Sequence, residues 1–134
     1  LKLLNEIAVP GRLLIDGRSP YFGISANGKR GYVFNLEPAS SVQVVDLQKN
    51  KFVGNIEIPG CGLIYPYRDE GFASLCADGS LATVTVNAAG KGTLKQTAPF
   101  FTAETDPVFE ESLIDRTTGE GFFITYTGQV HPVT

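Results

Sequence analysis

The chain has 134 residues, which suits a single core. Hydrophobic residues make up 43% of it and charged residues 19%, so a disordered or fibrous chain is excluded. The net charge is −3 with scattered Lys and Arg, and no apolar run approaches the ~20 residues of a membrane span, so we expect neither nucleic acid nor a membrane as partner.

Short alternating runs of apolar residues, separated by Gly, Pro, Asn and Asp, predict strands and turns throughout the chain. Asn27-Gly28 and Asp78-Gly79 are hairpin signals because these residues tolerate positive φ angles, and Gly119 and Gly128 predict later hairpins in the same way. The predicted strands are 2–9, 21–25, 31–35, 41–46, 51–58, 62–66, 71–76, 80–86, 92–98, 107–114, 119–125 and 128–133.

An internal repeat sets the predicted architecture. Residues 2–11 (KLLNEIAVPG) return as residues 51–60 (KFVGNIEIPG) at an offset of 49, and a second alignment relates 25–29 to 76–80 at an offset of 51. A period near 50 residues with about four strands per unit is typical of a propeller blade, whereas a free-standing β-sandwich, the alternative, would not need the repeat.

We therefore predict an all-β fold: a β-propeller piece of about three blades from a presumed ring of seven, with four-stranded antiparallel blades. The predicted divisions are the end of one blade at about 1–10, a blade at about 20–59, a blade at about 61–98 and a partial blade at about 106–134. Such a piece is expected to be marginally stable alone, because blades without their neighbours expose large sheet faces to water.

The two cysteines, Cys61 and Cys76, allow three interpretations. They could be two buried thiols in a cytosolic protein. A metal pair fits less well, because zinc sites need sets of four closely spaced ligands and the one histidine, His131, lies far along the chain. A disulfide between neighbouring strands is the interpretation that we favour, and it indicates an oxidising compartment.

The search for chemistry finds no catalytic, cofactor-binding or metal-binding residue to nominate. A Gly-x-Ser-x-Gly elbow is absent, and His131 is expected to have a structural role. Glu110 and Glu111 are adjacent in a predicted strand, so they should point to opposite faces and cannot act as a carboxylate pair. Asp69-Glu70 is expected in a solvated turn.

Aromatic residues near the end of the chain are interpreted mainly as packing between blades, with a binding surface as the alternative. Alternation in a strand should turn one residue of each adjacent pair inward. The residues concerned are Phe100-Phe101 with Phe109, and the pair Phe122-Phe123.

Several segments resemble the heavy chain of the quinoprotein amine dehydrogenases. The specific part is Pro59-Gly60-Cys61, then fourteen residues, then Cys76-Ala77-Asp78-Gly79-Ser80-Leu81-Ala82. The strand Val42–Leu47 followed by Lys51-Phe52, and the run Thr125–His131, are similar to the methylamine dehydrogenase branch. Thr105–Phe109 is closer to the aromatic amine dehydrogenase branch.

The resemblance implies a seven-bladed propeller heavy subunit that carries no catalytic residue. Its partner is a small light subunit that holds tryptophan tryptophylquinone, and two of each form a heterotetramer in the periplasm. The complex oxidises a primary amine to an aldehyde and ammonia and passes electrons to a blue-copper protein similar to amicyanin or azurin. Cys61 and Cys76 are then the heavy-chain disulfide.

This chain contains no Trp, so it cannot supply the quinone itself. It starts at Leu1 without a signal-peptide pattern and stops at Thr134 after a strand-like run, so we expect both ends to be cut from a longer chain. Two alternatives remain: a periplasmic propeller binding or scaffold module without redox activity, and a propeller dehydrogenase that holds its own soluble quinone.

Overall fold

The computed structural model describes residues 1–13 and 18–134, and only the backbone of residues 12 and 13. Within these ranges lie a 3₁₀ helix, Ser19–Tyr21, and twelve strands, and no helix there is long and apolar enough to cross a bilayer. The strands are β1 (Arg12–Leu13), β2 (Phe22–Ile24), β3 (Arg30–Glu37), β4 (Ser41–Asp46), β5 (Lys51–Glu57), β6 (Cys61–Tyr67), β7 (Gly71–Cys76), β8 (Leu81–Val86), β9 (Gly92–Gln96), β10 (Leu113–Ile114), β11 (Gly121–Ile124) and β12 (Val130–Val133).

The strands form three antiparallel sheets that follow one another along the chain. The first sheet has the order β1-β3-β4-β5, with β2 paired to the same strand as β1. The second sheet is β6-β7-β8-β9, and the described part of the third is β10-β11-β12. In each sheet, strands that follow one another along the chain pair with each other, which is the strand arrangement of a propeller blade. The prediction of an all-β propeller fold is therefore confirmed. The limits of the individual blades stay predictions.

Two apolar clusters hold the sheets face to face. Between the first and second sheets, the ring of Tyr32 packs on that of Phe72 with centroids 5.1 Å apart, and both side chains are 0% exposed. Between the second and third sheets, Tyr65 meets Phe123 edge to face at 5.4 Å. Burial of large aromatic side chains on both faces of the second sheet explains why its strands are apolar at consecutive positions.

Backbone hydrogen bonds join the turns of successive sheets on one side of the molecule. The Ala26 N–H donates to the carbonyl of Arg68 at 3.2 Å, and the Arg68 N–H donates to the carbonyl of Arg116 at 2.8 Å. These residues lie in the turns after β2, β6 and β10, and each turn connects to the strand that pairs with the one before it, namely β3, β7 and β11. These two hydrogen bonds hold each turn against the next. Each of them pairs a backbone N–H with a backbone carbonyl that the strand pairing within a sheet leaves free.

The turn predictions are confirmed at their glycines. Gly28, Gly79, Gly119 and Gly128 have φ angles of 72°, 85°, 82° and 91°. At Gly79 the requirement is also steric, because a Cβ there would lie 2.0 Å from the carbonyl oxygen of Phe101. The linker after the second sheet therefore lies directly on this turn.

Two predicted strands are wrong. Residues 2–9 form no strand, and no described strand pairs with them; a strand needs such a partner for its backbone groups. In place of a strand over 107–114, the structure has an isolated bridge between Val108 and Thr125 and then β10. Between them the chain leaves the ladder at three polar residues, Glu110, Glu111 and Ser112, and the two carboxylates bind Arg18 and Ser19 instead of continuing the strand.

The second repeat alignment is also wrong. Residues 25–29 lie in the turn between β2 and β3, whereas residues 76–80 lie in the turn between β7 and β8. The first turn follows β2, which pairs on one side only, whereas the second turn links the two middle strands of its sheet. Similar sequences arise there because both turns need a residue with a positive φ angle after a side chain that caps the turn.

Candidate functional site

The cysteines meet where two strands of one hairpin lie side by side. Cys61 begins β6 and Cys76 ends β7, and antiparallel pairing places them directly opposite each other with Cα atoms 3.9 Å apart. The structure joins their sulfur atoms in a disulfide, and both residues are buried. The link therefore closes the open end of the β6–β7 hairpin against the first apolar cluster.

A groove runs where β2, β6 and β10 approach each other, and we call it the first-strand groove. Its walls are residues 19–23, residues 64–66 and residues 111–116, and its volume is about 290 Å³. The first two walls come very close, since a Cβ on Gly23 would lie 2.4 Å from a ring carbon of Pro66.

Polar contacts at the first-strand groove and beside it join the segment before β2 to the segment before β10. The Ser19 hydroxyl donates a hydrogen bond to the Glu111 carboxylate at 3.0 Å. The Arg18 guanidinium forms an ion pair with the Glu110 carboxylate. Both carboxylates are therefore bound by residues that lie 92 positions earlier in the chain. These two contacts connect the segment that precedes β2 with the segment that precedes β10.

Tyr65 reaches the same segment from the second sheet. Its hydroxyl donates to the backbone carbonyl of Glu110 at 2.5 Å. Burial raises the pKa of the Tyr65 phenol well above its ordinary value, and the negative charges of Glu110 and Glu111 raise it further. The phenol thus stays protonated at neutral pH and donates its hydrogen bond to the Glu110 carbonyl.

The prediction for Glu110 and Glu111 was wrong in its geometry. The two residues lie outside the strands, and their side chains bind neighbouring residues of one loop instead of facing opposite sides of a sheet. Sequence reasoning also missed Arg18 and Ser19. The only local signal was Ser19-Pro20, since proline favours the first positions of a helical turn, and here it opens the 3₁₀ helix.

The aromatic predictions are confirmed in part. Phe123 is 0% exposed while Phe122 is 40% exposed, as strand alternation requires. Phe100 packs on Phe123 with ring centroids 5.8 Å apart, so it belongs to the second apolar cluster. Phe109 does not join them: its ring stacks on that of Tyr126 at 4.4 Å, on the outside of the third sheet.

The remaining predicted residues have structural contacts. His131 lies within β12, where its ring packs against Phe100 at 5.6 Å. Asp69 and Glu70 are exposed in the turn after β6, and a Glu70 carboxylate oxygen accepts a hydrogen bond from the Asn27 side chain at 3.5 Å. Across residues 1–13 and 18–134, no three His, Cys, Asp or Glu side chains group as metal ligands. The expected absence of catalytic groups stays a prediction.

Comparison with known proteins gives matches along the entire chain. The family model described as methylamine dehydrogenase heavy chain (MADH) matches residues 1–134. The methylamine dehydrogenase heavy chain of Methylobacillus flagellatus is 31% identical over 132 residues, which cover 96% of this chain and 32% of that relative. The heavy chain of Methylorubrum extorquens is 32% identical over 133 residues, covering 97% and 32%.

A solved structure also shares the fold. A functionally unknown protein from Desulfotomaculum acetoxidans aligns with a TM-score of 0.58 at 17% identity, covering 83% of this chain and 36% of that protein. The chain spans about a third of the length of the curated relatives that it matches.

Proposed function

The chain belongs to the methylamine dehydrogenase heavy chain family, and from this premise we propose that it is part of the propeller heavy subunit of a periplasmic amine dehydrogenase. The observation that carries the proposal is the match of all 134 residues to the family model described as methylamine dehydrogenase heavy chain. The reaction is the oxidative deamination of a primary amine: amine and water give aldehyde and ammonia, with two electrons and two protons released.

The heavy subunit acts as a frame in this proposal. These residues do not fit the quinone cofactor, because tryptophan tryptophylquinone is built from tryptophan and the chain has none. The cofactor and the chemistry are assigned to a light subunit, in a heterotetramer of two heavy and two light chains. Occupied carboxylates and a protonated Tyr65 in the first-strand groove suit a role in holding sheets together.

The disulfide supports the location. A disulfide persists in an oxidising compartment such as the periplasm, where a small blue-copper protein can receive the electrons. A blue-copper protein accepts one electron at a time, whereas each amine oxidised releases two. Two acceptor molecules are therefore expected to bind in turn for each amine oxidised.

The test is purification of the natural-length protein from its host, followed by an absorbance spectrum. The expected result is a co-purifying small, cysteine-rich subunit with a quinone band that an added primary amine bleaches and the corresponding alcohol does not. On a denaturing gel, a redox-cycling quinone stain should mark the small subunit. A stain on the propeller chain would refute the non-catalytic role, and a lone propeller without chromophore would favour the binding-module alternative.

A further inference from the structure

The turn between β2 and β3 contains the pair Asn27-Gly28, and Asn27 is the only asparagine in the sequence that precedes a glycine. A glycine in this position leaves its own backbone nitrogen unhindered, because it has no Cβ. The pair is therefore the place in the chain where a backbone nitrogen can most readily attack an asparagine side chain. Asn27 is half-buried and Gly28 is exposed, so water reaches the turn.

The reaction of such a pair is deamidation through a five-membered ring. The Gly28 nitrogen loses its proton to solvent base and bonds to Cγ of Asn27, and the bond from Cγ to Nδ2 breaks as Nδ2 leaves as ammonia. Water then opens the succinimide ring and leaves aspartate or isoaspartate at position 27. One water is consumed and one ammonia is released, so the reaction needs neither an oxidant nor a cofactor.

Hydrogen bonds hold both reacting groups while the turn is closed. Oδ1 of Asn27 accepts from the Ser25 hydroxyl at 2.8 Å and from the Lys29 N–H at 3.0 Å. Nδ2 donates to a Glu70 carboxylate oxygen of the second sheet at 3.5 Å. The Gly28 N–H donates to the Ser25 carbonyl at 2.8 Å. Ring closure requires the Asn27 amide to rotate and the Gly28 N–H to lose its proton, so these bonds oppose it.

The backbone of the same turn is bound to the second sheet. The Ala26 N–H donates to the carbonyl of Arg68 at 3.2 Å, and Arg68 and Glu70 lie in one turn, after β6. Exposed turns open at a lower cost in free energy than core strands do. Opening of the β2–β3 turn breaks this backbone bond and the Asn27–Glu70 contact together, and it frees the amide to react.

We propose that Asn27 is a deamidation site that reacts when the β2–β3 turn opens from the second sheet, and that the carboxylate formed there weakens the contact between the two turns. The product replaces the Nδ2 donor to Glu70 with a second negative charge, so the turns repel each other where they were bonded. The inference is independent of the proposed enzymatic function, because it involves neither a light subunit nor an amine substrate.

Peptide mass spectrometry of the natural-length protein at mildly alkaline pH measures the reaction at Asn27. Because the rate follows the population of the open turn, it should be about tenfold or more slower in the folded protein than in urea. Ser25→Ala removes a bond to Oδ1 and should raise the folded-state rate about fivefold, the factor for one hydrogen bond of ordinary strength. Ser80→Ala is the control, since it removes an equally buried hydroxyl that bonds Asp78 in another turn.

A second matched pair lies on the surface and serves if Ser25→Ala does not fold. Glu70→Ala and Asp69→Ala each remove one negative charge from the same exposed turn, and Glu70 is the residue that accepts from Asn27. Glu70→Ala should raise the rate at Asn27, whereas Asp69→Ala should leave it unchanged.

The effect of the product is tested with Asn27→Asp, which places the same charge at the turn. The loss of melting temperature that it causes should be larger in the wild-type background than in Glu70→Gln, and added salt should reduce the difference.

Three results would overturn the proposal. The first is a rate at Asn27 that is the same in the folded protein and in urea. The second is a folded-state rate that neither Ser25→Ala nor Glu70→Ala raises above its control. The third is an equal loss of melting temperature for Asn27→Asp with and without the Glu70 charge.

Discussion

Removing the Cys61–Cys76 crosslink should lower the stability of the folded protein by a calculable amount. The cysteines are 15 positions apart. In the chain-entropy model, a loop of that size changes the entropy of the unfolded chain by about −10 cal/mol/K, which is ~3 kcal/mol at 25 °C. The strand register of the β6–β7 hairpin does not depend on the sulfur bond, so the native fold is expected to survive with reduced stability.

The assay compares three forms of the natural-length heavy chain in urea: oxidised wild type, reduced wild type, and Cys61→Ala/Cys76→Ala. Reduced wild type keeps the sulfur atoms, so its difference from the oxidised form isolates the crosslink, and the double variant adds the small loss of buried volume. Mass spectrometry of alkylated peptides counts thiols at the two positions. The reasoning is refuted if both cysteines are alkylated in the folded protein without reductant, or if reduced and oxidised forms unfold at the same urea concentration.

Three further predictions rest on single contacts. Gly79→Ala should destabilise the protein much more than Gly28→Ala, because a Cβ on Gly79 would lie 2.0 Å from a backbone carbonyl oxygen, whereas no atom lies within 4 Å of a Cβ on Gly28. Gly28→Ala should cost only ~1 kcal/mol, for its positive φ. Equal urea midpoints for the two variants would contradict this. Phe72→Ala should cost about 3–5 kcal/mol in urea unfolding because the ring is 0% exposed, and a loss below ~1 kcal/mol would contradict the packing between the sheets. Hydrogen bonds from the Thr127 side chain and backbone lower the pKa of the Asp106 carboxyl, so the carboxylate stabilises the fold above the unfolded pKa of ~3.9 and loses this effect as the pH falls through the lower folded pKa. The difference in melting temperature between wild type and Asp106→Asn should therefore close over that pH range. A difference that persists below the range would refute the assignment.

Local patterns in the sequence predicted most strands, because strand and turn preferences are local. Strands β4 and β7 match their predicted bounds, and the positive φ at Gly79 follows from the Asp-Gly signal. The segment 2–9 has the apolar alternation of a strand but forms none, because strand pairing depends on a neighbour that periodicity does not reveal.

The polar contacts of the first-strand groove could not be predicted for a related reason. Ser19 and Glu111 are separated by 92 positions, and their hydrogen bond exists only because strands β2, β6 and β10 of the three sheets approach one another. Glu110 and Glu111 were predicted to lie within a strand, whereas they lie in a loop whose residues are bound by Arg18, Ser19 and Tyr65. The contacts that make a site are therefore set by the assembly of sheets, while the sequence signals describe each sheet separately.

The second sheet turns one face toward the first sheet, and the corresponding face of the first sheet differs from it in chemistry. On the second sheet this face carries Phe72, Val84 and Val86, which are fully buried against the first sheet. On the first sheet the equivalent face carries Asn35 and Gln43, since strand alternation places these residues opposite the ones that contact the second sheet. A layer that met this face with apolar side chains alone would leave both amide oxygens unpaired. Pairing these oxygens would require hydrogen-bond donors, which distinguishes this face of the first sheet from the apolar faces that meet between the described sheets.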